Sequence, residues 1–164
     1  MVIALGSNLA SGFGSSEVLL EAVLSRFPTV GLKVLRRSSW WRSAAWPDPT
    51  GPEYRNGVAL VEADTTPEAS PGEVLRRLLD LEVQFGRRRS HRNAARTLDL
   101  DLIAYGRQVL NADGLALPHP RAHERRFVMG PLAEIAPDWR HPVTGRTAAE
   151  LAASAIVGLD AAPV

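Results

Sequence analysis

The order of apolar and polar positions predicts strands and helices from the start of the chain. Residues 2–5 form a short apolar run that Gly6 ends, as expected of a buried strand that leads into a functional loop. Residues 15–27 carry apolar side chains at helical spacing behind a serine that is a suitable N-cap. We predict two further strands over residues 32–41 and 56–63.

The best-marked helix begins at Ser70. The segment Ser70-Pro71-Gly72-Glu73 is a capping box with proline at the first helical position, and Gly86 is the predicted end of the helix. The apolar positions that form its core-facing stripe are Val74, Leu78, Leu81 and Phe85.

Three further elements are predicted in the second half of the chain. Residues 98–105 have the pattern of a strand, and residues 127–135 that of a helix. Residues 147–157 are predicted to form a C-terminal helix that opens with a second capping box. Because strands and helices are intermixed around antiparallel-looking turns, we predict an α+β sandwich and not a doubly wound parallel sheet.

Length and composition narrow the class of protein. The chain has 164 residues, 45% apolar and 23% charged, so we expect residues 1–164 to form a single globular domain. It contains no cysteine, which excludes disulfides, thiolate zinc sites and cysteine nucleophiles. A net charge of +1 gives little reason to expect an acidic polymer as partner. We expect a cytoplasmic protein, because no segment has the pattern of a secretory leader or a membrane span.

The strongest chemical motif is the alternating segment Leu98-Asp99-Leu100-Asp101-Leu102. As a strand it buries the leucines on one face and projects Asp99 and Asp101 from the other, with Cα atoms about 6.6 Å apart. Two carboxylates at this spacing can converge on a hard cation, and magnesium is the natural occupant. The simpler alternative is an amphipathic strand with a solvated acidic face.

A basic loop precedes this strand. Residues 87–96 contain five arginines, which compensate the like charges of the two aspartates. A site for a metal-bound polyphosphate needs this combination, since carboxylates bind the magnesium and arginines bind the remaining phosphate oxygens. For an arginine run alone, a flexible basic surface or a nucleic-acid contact is the better interpretation.

Other schemes for binding phosphate or metal do not fit the sequence. There is no Gly-x-x-x-x-Gly-Lys-Ser/Thr motif, and residues 12–14 lack the third glycine of a dinucleotide fingerprint. His119 and His123 have the spacing of a zinc pair, but Pro120 interrupts a regular helix and no glutamate lies between them. His119 is better interpreted as a fixed hydrogen-bond donor, or as a histidine that satisfies a local backbone carbonyl.

Six motifs occur in family order and together resemble the hydroxymethyl-dihydropterin pyrophosphokinases, enzymes of folate synthesis. The resemblance covers residues 2 to about 137. The motifs are Ala4-Leu5-Gly6-Ser7-Asn8-Leu9, Tyr54-Arg55-Asn56, the run from Glu82 to Arg89, Arg96-Thr97-Leu98-Asp99-Leu100-Asp101-Leu102, Leu117-Pro118-His119-Pro120-Arg121, and Arg125-Arg126-Phe127-Val128 followed by residues 131–137.

The resemblance implies a ferredoxin-like α/β sandwich with a mainly antiparallel sheet and helices packed on both faces. It also implies that Asp99 and Asp101 bind two magnesium ions and that both, with Arg87 and Arg96, are catalytic. ATP is the implied co-substrate. Its implied contacts are Glu82, Arg87, Arg89, Arg92, Arg96, His119 and Arg125.

On the acceptor side, the resemblance implies a pterin site in which a side-chain amide reads the ring edge between aromatic residues. Asn93 and Pro120 stand where some relatives have aromatic residues. The residues implied in the pterin site are Gly6, Ser43, Ala44, Trp46, Tyr54, Asn56 and Phe127.

The implied reaction moves a pyrophosphoryl group from ATP to the hydroxymethyl group of a dihydropterin, with AMP as the second product. We therefore expect a monomer with small-molecule partners and no nucleic-acid or membrane partner. One alternative is an RNA-binding α+β module that contacts phosphate through the arginine loop. A second alternative is a magnesium-dependent transferase that uses ATP on another heterocycle.

Overall fold

The computed structural model describes residues 1–8, 14–45, 49–63, 69–86, 97–112 and 114–164. Its strands are β1 (Val2–Ser7), β2 (Leu32–Arg37), β3 (Trp41–Ser43), β4 (Tyr54–Ala63), β5 (Asp99–Ala104), β6 (Leu110–Ala112), β7 (Leu115–Leu117) and β8 (Ala162–Pro163). Its helices are α1 (Ser16–Arg26), α2 (Pro71–Gln84), α3 (Arg126–Ile135) and α4 (Ala148–Ala153). None of the helices in these ranges has the length and apolar character needed to cross a bilayer.

Six strands of the described ranges form one antiparallel sheet in the order β5-β1-β4-β3-β8, with β2 also paired to β4. The path β1-α1-β2-β4-α2-β5 is the β-α-β-β-α-β arrangement of a ferredoxin-like fold. Strands β6 and β7 form a separate hairpin. The predicted α+β class and antiparallel sheet are confirmed.

Each face of the sheet carries its own apolar cluster. One cluster joins alternate residues of β1 and β5, such as Leu5 and Leu100, to α1 and α2. The other joins intervening residues, such as Val2 and Ile103, to α3 and α4. Since successive side chains of a strand point to opposite faces, helices cover both sides of the sheet, as predicted.

The predicted N-cap residues Ser70 and Thr147 are both in place, but only the box that opens α4 forms completely. Ser70 Oγ accepts from the backbone N–H of Glu73 at 3.2 Å, while the Glu73 carboxylate forms an ion pair with Arg77. At the start of α4, Thr147 and Glu150 exchange both hydrogen bonds of a capping box, at 3.2 and 2.8 Å. The predicted core stripe of α2 is buried at Val74, Leu78, Leu81 and Phe85.

The single strand predicted over residues 32–41 is wrong, because the chain kinks between β2 and β3. Strand β2 pairs with the second half of β4, and β3 pairs with its first half. Trp40 lies in the kink against Gly57, where an added Cβ would be 2.5 Å from the indole ring. Trp41 packs against Gly130 of α3, where an added Cβ would likewise be 2.5 Å from the indole ring. The kink therefore depends on two glycines that are distant in sequence.

The C-terminal helix predicted over residues 147–157 is too long, since α4 ends at Ala153. The backbone N–H groups of Ile156 and Val157 both donate to the carbonyl oxygen of Glu124 at 3.0 Å. These residues leave the helical path because another segment supplies their hydrogen-bond acceptor. The tertiary contact overrides the helical pattern of the sequence.

Glu134 of α3 fastens this helix to the kink between β2 and β3. Its carboxylate accepts from the backbone N–H and hydroxyl of Ser39, each at 2.7 Å, and from Trp41 Nε1 at 3.0 Å. Burial acts to raise the pKa of Glu134, but the hydrogen bonds from Trp41 and Ser39 outweigh it, so the net pKa lies below the ordinary value. The stabilisation is therefore complete above the unfolded-state pKa and is lost as the pH falls through the lower folded-state pKa.

Replacing Glu134 with alanine should lower the free energy of unfolding by about 1–2 kcal/mol near neutral pH, because three donors lose their acceptor. Urea titration of the wild type and the variant measures this difference. The difference should shrink as the pH falls below the unfolded-state pKa and through the lower folded-state pKa, because the carboxyl group then becomes protonated in both states. Asp138→Ala, at an exposed position close by in sequence, is the control. A difference that does not change with pH would contradict the assigned role of the charge.

Candidate active site

One row of paired residues crosses four strands of the sheet. Gly6 of β1 pairs with Asn56 of β4 and with Asp99 of β5, and Asn56 pairs with Trp41 of β3. Paired residues of antiparallel strands point to the same face, here the face that carries α3. Because neighbouring strands lie about 4.8 Å apart, the backbone of Asn56 is about 10 Å from that of Asp99.

A cavity of about 150 Å³ opens on this row, next to the start of α3. It brings both predicted metal-binding aspartates together with every described member of the predicted pterin set. The described residues that line it are Ala4, Leu5, Gly6, Ser43, Ala44, Tyr54, Asn56, Asp99, Asp101, Arg121, Arg125, Phe127 and Val128.

Asn56 is held in one orientation at the floor of the cavity. It is 6% exposed, and its Nδ2 donates to Ser43 Oγ at 3.0 Å. Ser43 is in turn fixed by its β3–β4 pairing with Tyr54. The side-chain oxygen Oδ1 of Asn56 would lie 3.7 Å from a Cβ added at Gly6. The side-chain amide therefore borders the same surface as the glycine. A fixed amide presents a donor and an acceptor in one plane, which suits the edge of a heteroaromatic ring.

Two half-buried aromatic residues stand beside this amide. Tyr54 begins β4, and Phe127 lies in the first turn of α3. The guanidinium carbon of Arg125 is 5.7 Å from the centre of the Phe127 ring, within the range of a cation–π contact. The two rings give the cavity apolar surface of the kind that binds a flat heterocycle.

The alternation predicted for residues 98–102 is confirmed. Leu98, Leu100 and Leu102 are buried, whereas Asp99 and Asp101 are half-buried and line the cavity. Both carboxylates therefore project from one strand towards one space.

The two carboxylates on this strand suit magnesium better than they suit a metal ion whose ligands all come from the protein. The described part of the chain holds no group of three His, Cys, Asp or Glu side chains placed to bind a metal ion. Magnesium is usually held by one or two carboxylates together with substrate phosphates. Asp99 and Asp101 thus suit an ion that arrives with a nucleotide.

Glu82 lies on the opposite side of β5 from the cavity lining. Its side chain is 1% exposed, and its Oε1 accepts from the backbone N–H of Leu100 at 2.7 Å. Because β5 is the edge strand of the sheet, its outward N–H groups need an acceptor outside the sheet. Glu82 supplies such an acceptor at Leu100, between the two aspartates. The predicted contact of Glu82 with ATP stays a prediction.

His119 is fixed close enough to Asp99 and Arg125 for its ring to interact with both charges. Its backbone N–H donates to Ile103 O at 2.8 Å, and its Nδ1 accepts from the backbone N–H of Arg121 at 3.2 Å. Burial lowers the pKa of His119 and the Arg125 guanidinium lowers it further, while Asp99 opposes them. The ring is therefore neutral near pH 7 and carries its proton at Nε2, as a hydrogen-bond donor requires.

Arg121 lines the cavity although sequence reasoning assigned it no role. Its place at the end of the Leu117-Pro118-His119-Pro120-Arg121 motif was the one signal for it. Arg125, which was assigned to ATP, lies beside it in the lining. Within the described residues, the cavity lining therefore has two guanidinium groups.

Five predicted site residues lie outside the described ranges, as does Asn93. They are Trp46, Arg87, Arg89, Arg92 and Arg96.

The cavity is small, and its polar groups converge on one space, as in enzymes that act on small molecules. The model of the 7,8-dihydro-6-hydroxymethylpterin-pyrophosphokinase (HPPK) family matches residues 2–137 of this chain. The chain belongs to this family.

Relatives from distant bacteria carry the corresponding name, 2-amino-4-hydroxy-6-hydroxymethyldihydropteridine pyrophosphokinase. The Synechocystis protein is 41% identical over 150 residues, which are 92% of this chain and 73% of the relative. The Pseudomonas aeruginosa protein is 37% identical over 166 residues, covering 98% of this chain and 95% of the relative. The Bacillus subtilis protein is 34% identical, covering 81% and 75%.

Solved structures agree on the fold. Plasmodium falciparum HPPK-DHPS, wild type with SDX-DHP, superposes with a TM-score of 0.67 at 12% identity, covering 93% of this chain and 42% of that one. Another HPPK-DHPS, solved in complex with substrates, gives a TM-score of 0.62 at 10% identity, covering 93% and 44%. This chain spans less than half of each of those proteins, and at such identities the likeness concerns the fold alone.

Proposed function

We propose that the chain transfers the pyrophosphoryl group of ATP to the hydroxymethyl group of 6-hydroxymethyl-7,8-dihydropterin, in folate biosynthesis. The observation that carries this proposal is the single cavity in which Asn56, Tyr54 and Phe127 lie beside Asp99 and Asp101. A ring site and a metal-phosphate site within one small space are what such a transfer requires. Family membership and the names of the relatives support the same reaction.

The acceptor is held by its ring. The Asn56 amide reads the donors and acceptors on the pterin edge, and Tyr54 and Phe127 pack against its faces. Gly6, Ser43 and Ala44 complete this side of the cavity. The hydroxymethyl group then points along the row of paired residues towards Asp99.

The nucleotide is held at the opposite end. Asp99 and Asp101 would hold two magnesium ions together with the phosphates of ATP, and the metal would supply positive charge that neutralises the phosphates. Arg121 and Arg125 of the lining face this region, and His119 adds a neutral donor. The predicted arginines 87, 89, 92 and 96, with Glu82 as the weaker candidate, are assigned to the same substrate.

In the proposed step, the hydroxymethyl oxygen forms a bond to the β-phosphorus of ATP while the bond from that phosphorus to the α-phosphate bridging oxygen breaks. AMP leaves, the pterin becomes its diphosphate, and the hydroxyl proton is released to solvent. The protein positions both substrates and stabilises charge, and no covalent enzyme intermediate is needed. We propose that one chain suffices, since Asn56 and Asp99 of the same chain line one cavity.

The test is incubation of the pure protein with ATP, magnesium and hydroxymethyl-dihydropterin. AMP and the pterin diphosphate are the expected products, and omission of magnesium should stop their formation. ADP as product would refute pyrophosphoryl transfer. Equal turnover of other heterocyclic alcohols would refute the assigned acceptor.

Replacing Asn56 with alanine should raise the KM for the pterin about 10- to 100-fold, because the ring then leaves polar groups unpaired in a buried site. The KM for ATP should change little, since the backbone of Asn56 is about 10 Å from that of Asp99. Steady-state kinetics with each substrate varied in turn measures the two KM values separately. Equal changes in both KM values would contradict the assignment of Asn56 to the ring.

A further inference from the structure

The last ten residues of the chain, 155–164, run across the molecule from the start of α3 to β3. We call this segment the C-terminal strap. It lies beyond residue 137, where the match to the family model ends. Its sequence predicts no element after Gly158, yet it makes ordered contacts with two walls of the cavity.

The first wall is the one that carries Phe127. Gly158 has φ +68°, and a Cβ added to it would lie 2.5 Å from Cδ1 of the Phe127 ring. The ring therefore rests directly on the backbone of the strap. Val157 O also accepts from the backbone N–H of Arg126 at 2.9 Å. This bond satisfies one of the N–H groups that the first turn of a helix leaves unpaired.

The second wall is the end of β3. The Asp160 carboxylate accepts a hydrogen bond from the backbone N–H of Ala44, a residue of the cavity lining. Strand β8, at the end of the strap, pairs with β3. Val164 N donates to Trp40 O at 2.9 Å, which continues the attachment along the same edge.

Arg126 and Ala161 hold the strap in a compact turn. Its Nε donates to Ala161 O at 3.3 Å, and Ala161 N donates to Gly158 O at 3.0 Å. Gly158 and Asp160 are therefore held in a fixed relation, so the two walls are linked through one compact turn.

We infer that the strap positions the acceptor ring. Gly158 sets how far the Phe127 ring reaches into the cavity, and Asp160 sets the position of the Ala44 backbone in the other wall. Both are positioning residues, because they act through residues that line the cavity. This inference rests on the proposed function, in which the space between these walls holds the pterin.

The position of the strap predicts which substrate its disturbance affects. Its contacts reach β3, residue 44 and the segment 124–127 at the start of α3, whereas Asp99 and Asp101 lie on β5 at the other end of the sheet. Disturbing the strap should therefore weaken pterin binding more than ATP binding. It does touch the backbone of Arg125, which forms a bridge with Val157, so a small effect on ATP is also expected.

A pair of glycines provides a matched experiment. Gly158 and Gly145 have the same backbone conformation, with φ +68° and +69°, but a Cβ at Gly145 meets no atom within 4 Å. Gly158→Ala and Gly145→Ala thus introduce the same backbone strain, and only the first displaces Phe127. We expect Gly158→Ala to raise the KM for the pterin at least about tenfold, with the KM for ATP changed less than about threefold. Gly145→Ala should leave both near the wild-type values.

If the wild type forms AMP but the two glycine variants have the same pterin KM, the inference is wrong and the proposed function stands. An equal rise in both KM values for Gly158→Ala would also overturn it, because that result indicates general loosening. If the wild type forms no AMP, the proposed function fails, and the inference about the acceptor fails with it.

Asp160→Ala covers the case in which Gly158→Ala does not fold. This variant should raise the pterin KM and speed hydrogen exchange at the Ala44 amide, which loses its acceptor. Leu159→Ala, at an exposed neighbouring position, is the control and should do neither. Faster exchange at Ala44 with an unchanged pterin KM would show that the strap orders the wall without positioning the ring, and would overturn the inference.

Discussion

Replacing Asp101 with asparagine should lower turnover at least about a thousand-fold, which corresponds to about 4 kcal/mol of transition-state stabilisation. Asparagine keeps the shape of the side chain but removes the negative charge that the proposed metal site requires. The residue is half-buried on the cavity side of β5, and its strand is anchored by buried leucines on the other face. The fold should therefore persist while the reaction stops.

The measurement is AMP formation under saturating substrates, with circular dichroism and urea unfolding as tests of the fold. Calorimetric titration with magnesium and a non-hydrolysable ATP analogue should show weaker binding. Asp138→Asn, an exposed acid close to the end of α3, is the control for loss of one negative charge. Near-normal turnover in Asp101→Asn would contradict the metal assignment.

Replacing Glu82 with alanine should lower both stability and turnover. The buried N–H of Leu100 loses its acceptor, which costs about 1–3 kcal/mol of unfolding free energy. Because Leu100 lies between the two aspartates on an edge strand, a shift of its backbone moves both carboxylates. A displacement of about 1 Å is enough to lower kcat up to about a hundredfold.

Glu82→Gln separates positioning from charge. Its amide oxygen can still accept from Leu100 N–H, so kcat should recover most of the wild-type value. Asp80→Ala, at an exposed position of the same helix, controls for changes in α2. If Glu82→Ala is destabilised but retains the wild-type kcat, the carboxylate is structural alone. If Glu82→Gln is as poor as Glu82→Ala, the charge acts directly.

Local patterns were sufficient for the parts of the fold that depend on neighbouring residues. The alternation at residues 98–102 correctly predicts which side chains are buried, because a strand places successive residues on opposite faces. The serine cap of α2 and its apolar stripe are equally local. The family motifs located Asn56, Phe127 and Asp99, and the sheet register brings them to one cavity.

Other features depend on contacts that no local pattern contains. The kink after β2 requires Gly57 and Gly130 to accommodate two indole rings. Helix α4 stops early because Glu124 offers an acceptor to Ile156 and Val157. The assignments of Trp46 and of the arginines between residues 87 and 96 fall outside the described ranges and stay predictions.

In the proposed site, the row Asn56–Gly6–Asp99 fixes how far apart the acceptor ring and the phosphates are held. The backbones of Asn56 and Asp99 are two strand spacings apart, a distance that the backbone hydrogen bonds of β4, β1 and β5 set. Side-chain exchanges do not alter this backbone separation. Adapting this scaffold to an alcohol on a longer arm would therefore require a different sheet register, and not a redesigned loop.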